Sequence, residues 1–184
     1  MFLKQTLLFF WEVAKIVFLA LVIVIPIRYF IFQPFIVKGI SMEPNFSDSD
    51  YLIVDEITYR FRAPERGDVI IFRYPQNLSE KFIKRVIGLP GEIISLEGNQ
   101  IFVVDRLGQK KVLDESEYLN NQTLFNQTDF LLSEDEFFVL GDNRQNSFDS
   151  RSWGVLPKKN IIGRALFRVF PPATAAAYFT APEY

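Results

Sequence analysis

The pattern of apolar and polar positions splits the chain in two. Residues 7–32, LLFFWEVAKIVFLALVIVIPIRYFIF, are apolar almost throughout, and no charge interrupts them from Ile16 to Ile27. As a helix, the run from Ile16 to Phe32 is roughly 25 Å long, slightly short for a bilayer core. Extension back to Leu7 adds the missing length and takes in Glu12 and Lys15. These two are spaced i,i+3, so they pair on one face and snorkel towards the headgroups. Trp11 and Tyr29 fall near the two interfaces, and Pro26 sits near the end, where a span tolerates a kink. The pattern predicts one retained transmembrane anchor. A cleaved signal peptide and a buried soluble helix are the alternatives. The first suffers from a long apolar run with no small-x-small site directly after it. Lys4 and Lys15 before the core balance Arg28 and Lys38 after it, so charge leaves the orientation open.

After Gln33-Pro34 the period changes. Short runs follow one another: YLIVDEI, GDVIIFRY, FIKRVIGL, EIISLEG, QIFVVD, EFFVLG and IIGRALFRVF. Gly, Pro, Asn and Asp bound them, which is the punctuation of an antiparallel β domain. GLPGE and EGNQ read as turns between paired strands. Residues 105–135 are polar and rich in Asn and Gln, and read as a connection or a hairpin. The predicted fold class is mostly β, an antiparallel sheet domain behind one N-terminal membrane helix. The predicted boundaries are 1–33 for a cytoplasmic stub and anchor, 34–171 for the β domain and 172–184 for a tail.

Composition narrows the chemistry. The 184 residues suit one compact domain with a short appendage. With 20 basic and 22 acidic residues, nothing calls for a nucleic-acid partner. There is no cysteine and no histidine. Disulfides, thiolate sites, cysteine nucleophiles, His-ligated zinc and a Ser-His-Asp triad are therefore excluded. No spacing calls for a carboxylate metal site, and no metal or cofactor is expected.

Four segments are candidates for chemistry: GISMEPN around Ser41, GDVIIF from Gly67, FIKRVIGLPGE from Phe82 and GDNRQNSFDSRSWG from Gly141. Each also has a bland reading, as a solvated turn, a strand, a surface cation pair and a polar loop. Strand alternation sharpens one point. Phe82, Lys84 and Val86 share one face, while Ile83, Arg85 and Ile87 share the other. Lys84 thus lies in line with apolar neighbours, where lost hydration penalises its charged form and lowers its pKa. A fall of about two units from about 10.4, or about 3 kcal/mol, makes it an effective base near neutrality. A neutral Lys84 then takes the proton of Ser41 Oγ, the Ser-Lys alternative to a triad.

Together the four segments, in this order and behind an anchor, resemble the signature boxes of type I signal peptidases. These are membrane-anchored Ser/Lys proteases that remove signal peptides. The resemblance runs from Ser41 to Gly154 and implies Ser41 as nucleophile and Lys84 as general base. It implies Ser147 as the hydroxyl that orients the lysine, and Asp149 and Arg151 as a pair propping the site. Arg85, Asp142 and Arg144 are read as structural support. The oxyanion donor implied is the backbone N–H of Ser41. Some members add a serine hydroxyl two residues earlier, where this chain has Gly39. Asn45 stands where threonine is commoner. The implied substrates are signal-peptide-bearing precursors cut after an Ala-x-Ala pattern. They would bind as an added strand against small apolar pockets, for which Val37, Met42, Phe82 and Ile83 are nearest in sequence. Phe35 and Phe46 are candidates to rest on the lipid bilayer. The family topology places the catalytic domain on the extracytoplasmic side of a bacterial plasma membrane or a thylakoid-type membrane. The rivals are a self-cleaving repressor-type Ser/Lys protease, an organellar member of the same family, and an inactive tethered β module that binds exported peptides.

Overall fold

The computed structural model describes residues 2–30, 32–119, 123–170 and 182. All of the expected tail except Pro182 lies outside them. The apolar N-terminal run forms α1, Phe2–Phe30, a single helix through Pro26. Its described side chains are Thr6 and residues 9–24, and those of 9–24 are exposed along the whole stretch; Phe18, for example, is 70% exposed. The expected pair forms, with Lys15 Nζ donating to Glu12 Oε1 at 2.8 Å. The Tyr29 side chain lies outside the described set. Among the described residues, no helix is long and apolar enough to cross a membrane.

The seven predicted runs all become strands: β2 (Tyr51–Asp55), β3 (Val69–Tyr74), β4 (Asn77–Gly88), β5 (Ile93–Gly98), β6 (Gln100–Val104), β9 (Glu136–Leu140) and β11 (Ile161–Phe170). Four more strands complete the fold: β1 (Phe32–Ile36), β7 (Lys110–Val112), β8 (Phe125–Leu131) and β10 (Leu156–Pro157). The strands build two antiparallel sheets. The larger has the order β1-β2-β11-β3-β4-β9-β10 and the smaller β7-β6-β5-β8. Residues 105–135 are therefore more than a connection, because they contribute both edges of the small sheet. EGNQ is a hairpin, with Glu97 opposite Gln100. GLPGE is not one. It carries the chain from β4 in the large sheet to β5 in the small one.

The alternation read in β4 holds. Phe82 and Val86 pack with Ile70, Phe72, Phe137 and Val139 on one face of the large sheet. Ile83 packs on the other face with Val37, Met42, Phe46, Leu52, Val54, Val69 and Ile71. Strand β9 splits likewise. Its Phe137 and Val139 join the first cluster, while Phe138 and Leu140 pack with Ile87 and Ile94 against the small sheet. Each such fully buried side chain contributes about 1.5–3 kcal/mol of hydrophobic stabilisation. Register fixes the rest: Lys84 stands opposite Ile70, Arg85 opposite both Val69 and Leu140. Strand β9 pairs only with Arg85, Val86 and Gly88 of β4, so residues 77–84 pair with β3 alone. A cleft opens along that free edge.

Candidate active site

Ser41 lies in the turn between β1 and β2. The turn is rooted by Met42 and Phe46, which are 0% and 1% exposed in the core. It is closed by Phe46 N–H donating to the Met42 carbonyl at 2.9 Å. That rooting corrects three expectations. Val37 and Met42 are core residues and do not line the cleft, and Phe46 is not available to a bilayer. In a tight turn the apolar side chains go inward, because the backbone polar groups take the solvent side. The cleft, of about 680 Å³, holds Ser41 and Lys84 and is walled by Phe35, Ile36, Ile40, Phe82, Ile83 and Phe148. Phe82 and Ile83 both line this cleft. Phe35 belongs to the cleft wall.

Lys84 is only 4% exposed. Its Nζ stands 2.7 Å from Ser41 Oγ and donates to the Ile83 carbonyl at 2.9 Å. Burial pushes its pKa down from 10.5 to about 8. Asp149 and then Asp142 pull it back up, while Arg151 pushes it further down. As an ammonium, Lys84 donates to Ser41 Oγ. Once neutral, it offers a lone pair and the hydrogen bond reverses, with the Ser41 hydroxyl donating. A buried amine in contact with a hydroxyl, which forms no ion pair among the described residues, suits a base.

The backbone on either side of Ser41 is pinned. Asn143 N–H donates to the Ser41 carbonyl at 3.0 Å, and Asn143 Nδ2 donates to the Ile40 carbonyl at 3.1 Å. Ser41 N–H has no acceptor among the described residues and is free for a ligand oxygen. Gly39 has φ +83°, a region that penalises any side chain. Its N–H donates to Asp48 Oδ1 at 2.6 Å, which holds the Asp48 carboxyl below its ordinary value. The local backbone thus accounts for glycine where a serine hydroxyl could have been an extra donor.

The last box wraps behind the dyad. Asp149 caps α3 (Ser150–Trp153), accepts from Gly141 N–H at 3.0 Å and pairs with Arg151 at 2.7 Å. Arg151 also donates to the Arg144 carbonyl at 2.7 Å. Arg85 meets Asp142 through two bonds of 2.8 and 2.7 Å, with both side chains buried. The expected Lys84–Ser147 bond is not made. Ser147 Oγ is buried with no hydrogen-bond partner among the described residues. It is packed so tightly on Gly141 that a Cβ there would overlap it and the Ser41 carbonyl oxygen.

Several supporting residues come from outside the four segments or play a role their sequence hides. Asn45 Nδ2 donates to Asp142 Oδ2 at 2.9 Å and to the Tyr118 carbonyl at 3.0 Å. The Arg85 guanidinium lies 4.1 Å from the Tyr118 ring centroid. Glu115 takes two 2.6 Å bonds from Arg144, whose side chain is buried. The stretch around Glu115 and Tyr118 therefore braces the catalytic loop from within the polar region 105–135. No sequence signal points to it, since the contacts span tens of residues.

A family model described as signal peptidase, peptidase S26, matches residues 10–170. The signal peptidase I of Leptolyngbya laminosa is 37% identical over 180 residues, covering 94% of this chain and 86% of that protein. Signal peptidase I P of Bacillus subtilis subsp. natto is 35% identical over 162 residues, 85% of this chain and 87% of that one. The chloroplastic thylakoidal processing peptidase 1 of Arabidopsis thaliana is 32% identical over 172 residues, 88% of this chain but 49% of that protein. The chain belongs to the signal peptidase family, peptidase S26.

Proposed function

We propose that this serine endopeptidase removes N-terminal signal peptides from exported precursors, with Ser41 as nucleophile and Lys84 as general base. The observation that carries the assignment is the 2.7 Å contact between Ser41 Oγ and a buried lysine whose pKa is held at about 8. Neutral Lys84 takes the Ser41 proton as Oγ attacks the scissile carbonyl. The oxyanion is received by the Ser41 N–H. The ammonium then gives its proton to the leaving amine, and an acyl-enzyme remains. Lys84, neutral again, takes a proton from water, which attacks the ester. Collapse of the second tetrahedral intermediate returns the proton to Ser41 and releases the new carboxyl end. No residue other than the dyad moves a proton, and no metal or cofactor enters.

The free edge of β4 beside the cleft suits an extended peptide, whose backbone hydrogen-bonds to the edge while its side chains enter pockets. Cleavage after small residues, the Ala-x-Ala pattern, belongs to this reading. So does membrane attachment. A helix apolar on every side has no stable place in water, and the side chains of 9–24 are exposed in the isolated chain. A bilayer covers them, with the β domain on the extracytoplasmic side of a bacterial plasma membrane or a thylakoid-type membrane.

The test is processing of a precursor by the full-length protein in detergent. Ser41→Ala and Lys84→Arg each abolish cleavage while the domain stays folded, the second because arginine keeps its proton. Wild-type processing by either variant refutes the dyad.

A further inference from the structure

The cleft beside the dyad is much larger than a methyl group needs. Its volume of about 680 Å³ falls in the range of pockets, roughly 300–1,000 Å³, that take drug-sized ligands. A preference for small side chains therefore requires a local wall close to the reacting atoms. Two aromatic rings line the cleft that holds the dyad. The Phe82 ring centroid is 5.7 Å from Lys84 Nζ. Phe148 is the other, and it is 53% exposed towards the cleft it lines.

We propose that Phe148 is a specificity-determining residue, whose ring, with that of Phe82, limits the size of the substrate side chain admitted beside Lys84. This rests on the signal-peptidase reading above. The ring is held on one side by an aromatic neighbour. Tyr74 meets it edge-on at 5.8 Å between centroids, and the same Tyr74 stacks on Phe82 at 5.0 Å and abuts Trp153 at 5.9 Å. Its backbone neighbours are fixed as well. Ser147 is packed on Gly141, and Asp149 accepts from Gly141 N–H. The fixed backbone and the edge-on contact with Tyr74 favour this placement of the ring, where it acts as a stop. Phe82 lies on a paired strand and is equally fixed. The two rings, joined through Tyr74, form one continuous wall reaching the dyad from the core.

The test compares kcat/KM of the full-length enzyme for precursor peptides bearing Ala, Val or Leu at position −1, and separately at −3. In Phe148→Ala, the Leu-to-Ala ratio rises at least tenfold at one of these positions, the effect expected when space for a few methylene groups is opened. In Phe148→Trp the Val-to-Ala ratio falls at that same position. Phe148→Leu, which keeps an apolar contact with Tyr74, gives an intermediate ratio and stands in if the alanine variant does not fold. Unchanged ratios in these variants at both positions overturn the proposal. Failure of the wild-type protein to cut the Ala peptides refutes the signal-peptidase reading instead, so the two outcomes are separable.

Discussion

Replacing Lys84 with Met should make the protein both inactive and more stable at neutral pH. In the folded protein the lysine's pKa drops from 10.5 to about 8, which corresponds to about 3 kcal/mol. The sign follows from linkage. Between about pH 8 and 10.5 the unfolded chain binds a proton at this position and the folded chain does not, so stability rises with pH there. Below about pH 8 the native state carries a buried ammonium and the full penalty applies. Above about 10.5 the amine is neutral in both states and the penalty is gone. Methionine fills similar space without charge. The variant therefore exceeds the wild type by up to about 3 kcal/mol near pH 7, and the gap closes as pH approaches 10.5. Tyr59, whose pKa is raised by burial and then by Asp68, stays protonated in the folded protein across this range, so unfolding lets it titrate. It does so in both proteins and cancels in the difference. Urea unfolding of the two proteins in detergent across pH 7 to 10.5, followed by tryptophan fluorescence, measures the gap. A difference that does not vary with pH refutes a depressed Lys84 pKa. The same protonation sets the rate: wild-type kcat/KM falls tenfold per pH unit below about pH 7, and a flat profile contradicts a lysine base.

Other perturbations probe the frame around the dyad. Gly141→Ala should strongly reduce processing, because the added methyl overlaps Ser147 Oγ and the Ser41 carbonyl oxygen; near-normal kcat would show that the loop is less fixed than described. Asp142→Ala leaves the buried Arg85 cation without its partner and should cost about 3–5 kcal/mol in urea unfolding, with loss below 1 kcal/mol counting against the pairing. Gly39→Ser meets no steric obstacle at Cβ, so its cost is the positive φ alone, about 1 kcal/mol, and it should bring no gain in precursor cleavage. A clear rate increase would mean that the serine hydroxyl reaches the oxyanion in spite of the backbone.

The placement of Lys84 was legible because two independent regularities met at that residue, whereas its pairing with Ser41 came from the resemblance of the four segments. Alternation along FIKRVIGL put Lys84 on an apolar face, and the missing histidine left few other bases. The burial of Lys84 and its contact with Ser41 follow from that placement. The strands were legible where apolar residues were frequent. Strands β7 and β8 escaped because they are edges of the small sheet with mostly exposed, polar side chains. Strand β1 carries Pro34, which an edge tolerates, and so it read as a boundary. The pocket was only half legible. Val37 and Met42 are near Ser41 in sequence but point into the core, while Phe148 reaches the cleft from a loop that looks uniformly polar. The brace from Glu115 and Tyr118 was not legible, since nothing local distinguishes a glutamate that meets a buried arginine from one that meets water.

The register of β4 has a consequence for how this gene can change length. Lys84 and Arg85 are adjacent, face opposite ways, and in the proposed mechanism do opposite jobs: one must shed its proton and the other must keep it. An odd insertion or deletion in the hairpin between β3 and β4, if absorbed by sliding the strand one place, turns each of them to the opposite face. Slid one way, Arg85 comes against Ser41 and Val86 against Asp142; slid the other way, Ile83 comes against Ser41 and Lys84 against Asp142. Such a variant loses the base and the buried ion pair in one step, although every residue of the strand is retained. Length variation in that hairpin is therefore expected in pairs of residues, or compensated by a bulge such as the register shift already present between Arg73 and Tyr74.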